Sequence, residues 1–358
     1  MTKLISFPHL DNYYIPIKYL IEKITKQKVL VAPKITRKTL ELGAKYSPDF
    51  VCAPYKYNLG NYLESLELGA NVLLQAGGGC RYGYYAELQE KTLKDLNYQF
   101  EFINFIKNNH VSIIEIYKFA KKYNKKLNIL TYAYYLLTTF IMIVVSDKLS
   151  INIRENIGFE VIKGSYETIE KKFYNDLSNT KSIIKTLKLY RKYKKYYQNI
   201  KLNKPDNCIK VLIVGELYTI MEPNASCYIE RTLAKMGVMV KRYTNLTYLL
   251  LTKKFKLPYH LKKSKKYIKY HLGADATESI AYSLKHIKEG YDGIIHLKSF
   301  GCTPEINAMP ILAQIIEDYH IPILYFSFDT EDNTEAIKTK LEAFTDMLKS
   351  NKHNDTQL

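Results

Sequence analysis

KVLVAPKITRKTLELGAKYSPDFVCAPYKYNLGNYLESLELGANVLLQAGGGC, residues 28–80, decides the architecture. KVLVAP is an apolar run stopped by Pro33 and reads as a strand; KTLELGAKYSPD supplies a helix and a turn. DFVCAP is the next expected strand, NLGNYLESLELG a helix closed by Gly69, and NVLLQAG a further strand. Upstream, KLISFPH is a short apolar run and PIKYLIEKIT has helical spacing. Strands of about four to six residues separated by helices imply βαβ units and a parallel sheet covered on both faces.

Helical sequence dominates from Tyr85 to about Ile200, and LNKPDN around Pro205 has the composition of a linker. The alternation then restarts. IKVLIVGEL, VMVKRYT, DGIIHLK and IPILYFSFD read as strands, and NASCYIERTLAKMG, ATESIAYSLKHIKEG and INAMPILAQIIEDYH as helices. TEAIKTKLEAFTDMLKS is a closing amphipathic helix. The expectation is an α/β protein of two doubly wound domains with a helical segment interposed. Residues 1–125 form the N-terminal α/β domain with Cys52 and Cys80, 126–204 the helical segment and linker, 205–350 the C-terminal α/β domain with Cys302, and 351–358 a polar tail.

A chain of 358 residues, 47% hydrophobic, has enough apolar sequence for two cores. The start, MTKLISFPHLDNYY, lacks the charged, apolar and small-residue succession of a secretory signal, so the expected location is cytoplasmic. Leu127 to Ser146 is charge-free and about as long as a membrane span, but it carries three tyrosines, three threonines and an asparagine. A buried core helix, whether inside one chain or at a subunit interface, is the favoured reading over a membrane segment. The balance of 53 Lys+Arg against 35 Asp+Glu gives a net charge of +18. Much of the excess is lysine spread along helices, as in RKYKKYY, which points to solvated faces and not to a nucleic-acid partner.

Five cysteines in a chain of this size make a poor disulfide framework and suit a reducing compartment. Cys52, Cys80 and Cys302 each follow an expected strand, where ligands collect in open α/β sheets. Gly77, Gly78 and Gly79 before Cys80, and Gly301 before Cys302, remove bulk and permit unusual backbone angles. Backbone N–H groups in such loops support an anionic group. With no Cys-x-x-Cys or His-x-x-x-His pairing, three dispersed thiolates fit structural zinc poorly and an iron–sulfur cluster better. On a four-iron cubane, three protein ligands leave one iron open to an exogenous ligand. Cys227, after MEPNAS, is a candidate fourth ligand, and Cys208 reads as structural. Arg81 and Lys56, just beyond two of the cysteines, are placed to neutralise a cluster or hold a phosphate. Tyr82, Tyr84 and Tyr85 are placed to shield it from water. His296 reads as a core histidine; Glu222 and Glu305 are candidate acid–base or positioning groups.

FPHLDNYYIPIKYLIEKIT, SPDFVCAPYKYNLGNYLESLELGANVLLQAGGGCRYGYYAELQ, VGELYTIMEP and GYDGIIHLKSFGCTPEINAMPIL resemble the acyl-CoA dehydratase activase-related proteins. These are a branch of the 2-hydroxyacyl-CoA dehydratase (2-hydroxyglutaryl-CoA dehydratase D-component-like) superfamily. The resemblance implies two Rossmann- or flavodoxin-like domains and an iron–sulfur cluster, [4Fe-4S] in type, held by Cys52, Cys80 and Cys302. It also implies a homo- or hetero-oligomer fed low-potential electrons by a separate ATP-hydrolysing activator of actin-like fold. In dehydratase relatives one electron enters a 2-hydroxyacyl-CoA thioester and the resulting ketyl radical loses hydroxide; double-cubane relatives reduce small molecules. A double cubane with three thiolates on each half needs six cysteines, and this chain has five. A non-catalytic metal- or redox-sensing or electron-transfer module, or a double-cubane-type small-molecule reductase whose subunits share ligands, is the alternative. No GxxxxGK[ST] or GxGxxG occurs, so ATP hydrolysis is assigned to the activator.

Overall fold

The computed structural model describes residues 3–77, 80–107, 110–329 and 334–355. Two compact units emerge: unit 1 comprises Met1–Met142 and Leu177–Lys185, and unit 2 Ile143–Asp176 and Thr186–Leu358.

Unit 1 begins β1 (Leu4–Ser6), α1 (Tyr14–Thr25), β2 (Lys28–Val29), α2 (Arg37–Lys45), α3 (Ala53–Glu67), β3 (Val72–Gln75), α4 (Tyr85–Asp95) and β4 (Glu101–Asn104). A short hairpin of β5 (Ile106–Lys107) and β6 (His110–Val111) and helix α5 (Ile113–Tyr123) follow. The sheet runs β2-β1-β3-β4, and all its pairings are parallel. Alternation along β3 sorts the core. Val72 and Leu74 join Ile5, Ile24, Phe105 and Phe119, whereas Leu73 joins Tyr55, Leu59, Tyr62 and Leu93 from α3 and α4. Helices therefore cover both faces, as a parallel sheet requires.

DFVCAP does not form the expected strand. Val51 N–H bonds the Pro48 carbonyl at 3.4 Å, closing a turn, and Phe50 is 86% exposed. Pro48 and Pro54 bracket the segment, α3 already begins at Ala53, and the place beside β1 is taken by β3. β4 lies instead in sequence read as helical. In FEFINF the period of two is visible afterwards: Phe100 and Phe102 pack with α3 and α4, and Ile103 and Phe105 on the opposite face.

The helical stretch holds α6 (Ile129–Asn156), α7 (Ser165–Ser178) and α8 (Ile183–Gln198). Helix α6 belongs to unit 1 as far as Met142 and to unit 2 from Ile143. Its second half buries Ile143, Val145, Leu149 and Ile153, and Asp147, itself buried, accepts the Thr247 N–H at 2.8 Å. Its first half exposes Leu130, Tyr134 and Leu137 along one face while Tyr132, Tyr135 and Leu136 pack into the unit 1 core, so the expectation of a core helix holds for one face there and for more of the helix beyond Thr138. By length and composition α6 is the one helix among the described residues able to cross a membrane, although 39% of its apolar window is buried.

Unit 2 continues with β7 (Lys210–Gly215), α9 (Leu217–Met221), α10 (Ile229–Lys235), β8 (Met239–Arg242), α11 (Lys253–Lys263), α12 (Ala276–Lys288), β9 (Gly293–Ser299), α13 (Thr303–Tyr319), β10 (Ile323–Phe328) and α14 (Thr334–Asp355). Its sheet runs β10-β9-β7-β8, again parallel throughout. Gly215 ends β7 at φ +131°, where a Cβ would stand 1.8 Å from the Leu297 carbonyl oxygen. Only glycine lets the two central strands pass this closely.

Candidate functional site

Cys52 and Cys302 have the same local placement. Each is the residue immediately before a long helix, α3 or α13, with a proline in the first turn. Each carbonyl starts the helical ladder, accepting at 3.0 Å from Tyr55 or Ile306. Cys80 likewise precedes the short 3-10 helix Arg81–Tyr84. A helix N-terminus carries partial positive charge and favours thiolate over thiol. All five cysteines are thiols and none forms a disulfide. The donor set thus suits a soft, anionic group that binds thiolates.

In unit 1, Cys52 and Cys80 share one aromatic neighbourhood. The Cys52 sulfur lies 3.1 Å from the Tyr85 hydroxyl, and Cys80 Sγ accepts the Tyr82 N–H at 3.4 Å. The Tyr82 and Tyr85 rings are 5.5 Å apart, Tyr55 meets Tyr85 edge-on at 4.8 Å, and Asn58 donates its amide to the Tyr82 hydroxyl. Burial, then the neighbouring Cys52, holds the Tyr85 phenol protonated far above its ordinary range. Tyr85 is buried and Tyr82 half-buried, but Tyr84 is 71% exposed and shields nothing. Gly77 adopts φ +155°, and a Cβ there would meet the Tyr82 ring at 2.5 Å, so its lack of a side chain shapes this loop. Gly78 and Gly79 lie outside the described residues. Arg81 is exposed and Lys56 half-buried on α3.

Cys302 belongs to unit 2. A turn in which the Cys302 N–H bonds the Ser299 carbonyl at 3.0 Å carries Phe300 and Gly301 between β9 and α13. Buried Lys298, which donates to the Ser327 hydroxyl at 2.9 Å, is lowered below its ordinary pKa by burial, an effect that Cys302 and Glu305 oppose. His296 is fully buried with Nε2 2.8 Å from Glu305, and Ser279 donates to the other Glu305 oxygen at 3.2 Å. The core reading of His296 thus gains the partner that sequence could not name.

At the end of β7 the Glu216 carboxylate accepts the Tyr218 and Thr219 N–H groups and the Thr219 hydroxyl. Glu222 similarly accepts from Asn224 N–H at 3.3 Å. Cys227 and Tyr228 occupy consecutive left-handed positions, φ 49° and 57°, ahead of α10. Cys208 is buried, its N–H bonded to Pro205. Lys253 lies 3.5 Å from Asp275 and 2.5 Å from Glu278. Burial pushes Asp275 up to about 7; Lys253 opposes that rise, and Glu278, Glu305 and Glu216 add to it. Lys298, Glu216, Lys253, Asp275 and Glu278 were not singled out from sequence; for Lys298 and Glu216 the visible signal was a charged residue inside an otherwise apolar strand, HLK, or directly at its end, VGE.

Among the described residues, no three His, Cys, Asp or Glu side chains stand close enough together to hold a metal ion. The structure therefore groups Cys52 with Cys80 and gives Cys302 a matching position in the other unit. The family model HGD-D, 2-hydroxyglutaryl-CoA dehydratase, D-component, matches residues 161–348. That stretch is more than half the chain and includes Cys302 but neither Cys52 nor Cys80. No curated protein matches the chain.

Proposed function

The chain belongs to the 2-hydroxyglutaryl-CoA dehydratase D-component family, and from that premise we propose that it is an iron–sulfur redox protein whose Cys52, Cys80 and Cys302 supply three thiolates to one cluster of the [4Fe-4S] type. The observation that carries this reading is the shared placement of the three cysteines immediately before helices. When bound, such a cluster would supply a low-potential electron and one open iron for a substrate oxygen. A separate ATP-hydrolysing activator delivers the electrons, and an acyl-CoA or another small molecule receives them. The four-stranded parallel sheets with helices against them support the finer reading of two flavodoxin-like domains. The thiols suit a cytoplasmic location.

The chain's own residues have separable tasks under this reading. The N-terminal peptide dipoles of α3 and α13 stabilise negative charge on Cys52 and Cys302. Tyr55, Tyr82 and Tyr85 exclude water around the unit 1 sulfurs, and Lys298 adds a cation near Cys302. The Glu305 link to His296 and Ser279 fixes the first turn of α13 behind Cys302. Arg81 offers a charge to an anionic ligand at the rim.

Single replacements Cys52→Ser, Cys80→Ser and Cys302→Ser, each reconstituted anaerobically with iron and sulfide, test the ligand set. Each is expected to lose most of the cluster's visible absorption, while Cys208→Ser keeps it. Full iron content in all three variants, or equal loss in Cys208→Ser, refutes the assignment.

A further inference from the structure

The Cys52 sulfur and the Tyr85 hydroxyl are 3.1 Å apart in the buried aromatic cluster of unit 1. The two residues come from different helices: Cys52 precedes α3, and Tyr85 is the first residue of α4. Tyr55, edge-on at 4.8 Å, and Tyr82, at 5.5 Å, fix the Tyr85 ring, and Tyr85 is only 5% exposed. The hydroxyl is thus aimed at the sulfur by packing. Cys80 receives a different donor, the backbone N–H of Tyr82. A side-chain substitution can remove the first donor but not the second.

A thiol and a phenol can each donate to the other. A thiolate that ligates a metal has no proton, so in that state the phenol must be the donor. We infer that Tyr85 is a positioning residue whose O–H donates to the Cys52 ligand sulfur and raises the reduction potential of the bound cluster. This inference rests on the ligand assignment proposed above. The physical reason is that a donor withdraws charge from the sulfur and so favours the more negative, reduced state; hydrogen bonds to ligand sulfurs are among the means by which a protein sets cluster potential. No atom is transferred: the proton stays on the Tyr85 oxygen in both redox states.

The test is an EPR-monitored redox titration of the full-length reconstituted protein and three variants. Tyr85→Phe keeps the ring and removes the donor. At a fixed solution potential its ratio of reduced to oxidised cluster is expected to fall about tenfold, equivalent to about 59 mV for a one-electron couple. Tyr85→His retains a ring donor and is expected to fall less. Tyr62→Phe removes a hydroxyl from the same aromatic cluster, one that donates to the Leu74 carbonyl and not to sulfur, and should titrate as the wild type does. Equal potentials for wild type, Tyr85→Phe and Tyr85→His overturn the inference, as does an equal shift in Tyr62→Phe or a Tyr85→Phe protein that folds but assembles no cluster. Should Tyr85→Phe not fold, the comparison of Tyr85→His with wild type carries the test. A wild-type protein that takes up no iron and sulfide refutes the ligand assignment instead, so the two failures are distinguishable.

Discussion

Replacing Lys253 by Met removes the cation that faces two buried carboxylates while keeping the length of the side chain. Glu278 is fully buried and Asp275 is 9% exposed, and Lys253 Nζ is 2.5 Å and 3.5 Å from them. Burial alone would lower the Lys253 pKa, and the two acids more than reverse this. Leaving a buried charge without its partner costs about 3–5 kcal/mol. The cost depends on pH in a definite direction. Asp275 titrates at about 7 in the fold, well above the ordinary range of an aspartate, so the native state binds its proton more tightly than the unfolded state. Its effect on stability is therefore most favourable at acid pH and is lost as pH rises through about 7. Without Lys253 the folded pKa rises further, and each further unit removes about 1.4 kcal/mol of the penalty once Asp275 is protonated in both proteins. The variant should be about 3–5 kcal/mol less stable at pH 9 and recover at least about 1.4 kcal/mol of that by pH 6. For a unit of this size the deficit at pH 9 corresponds to roughly 10 °C in Tm. Thermal unfolding by circular dichroism from pH 6 to 9 measures it. A Tm difference that is absent, or constant across that range, refutes the electrostatic account of this cluster.

Gly215→Ala should destabilise by about 3 kcal/mol or more, because the Cβ would stand 1.8 Å from the Leu297 carbonyl at φ +131°; a urea midpoint close to wild type would contradict the packing of β7 on β9. His286 is buried with its pKa pushed down to about 4, by burial first, so it contributes stability above its ordinary value of 6.5 that is lost as pH falls toward 4. That loss is about 3 kcal/mol and should be absent from a neutral variant that keeps the fold, His286→Gln, in acid titrations of stability. On α6, Leu130→Lys and Leu137→Lys should stay within about 0.5 kcal/mol of wild type, whereas Val145→Lys should prevent folding, since the first two are 80% and 51% exposed and Val145 is buried. Partition of detergent-free wild type into the soluble fraction accompanies this expectation; recovery only with membranes would reverse it.

The sheet-forming stretches with continuous apolar runs were legible in the sequence, since IKVLIVG and DGIIHLK have few other ways to be buried. β4 was not, because FEFINF intersperses charge and amide with aromatics and lies between helical stretches. DFVC misled for the opposite reason: it is apolar, but two prolines and a turn leave Phe50 in solvent. Cys52, expected at the end of that strand, sits instead at the loop–helix junction that opens α3. The contacts that give the site its chemistry, Cys52 with Tyr85 and Glu305 with His296, link residues 33 and 9 positions apart and have no local signature. In α6, an absence of charge recorded length but could not distinguish the covered face of its first half from the exposed one.

Iron and acid-labile sulfide determined on the anaerobically purified full-length chain, with EPR of the reduced protein, test the central claim most directly. The account predicts about four irons and four sulfides per chain and the signal of a reduced cubane. A colourless protein that contains no iron and takes up none on reconstitution would contradict it.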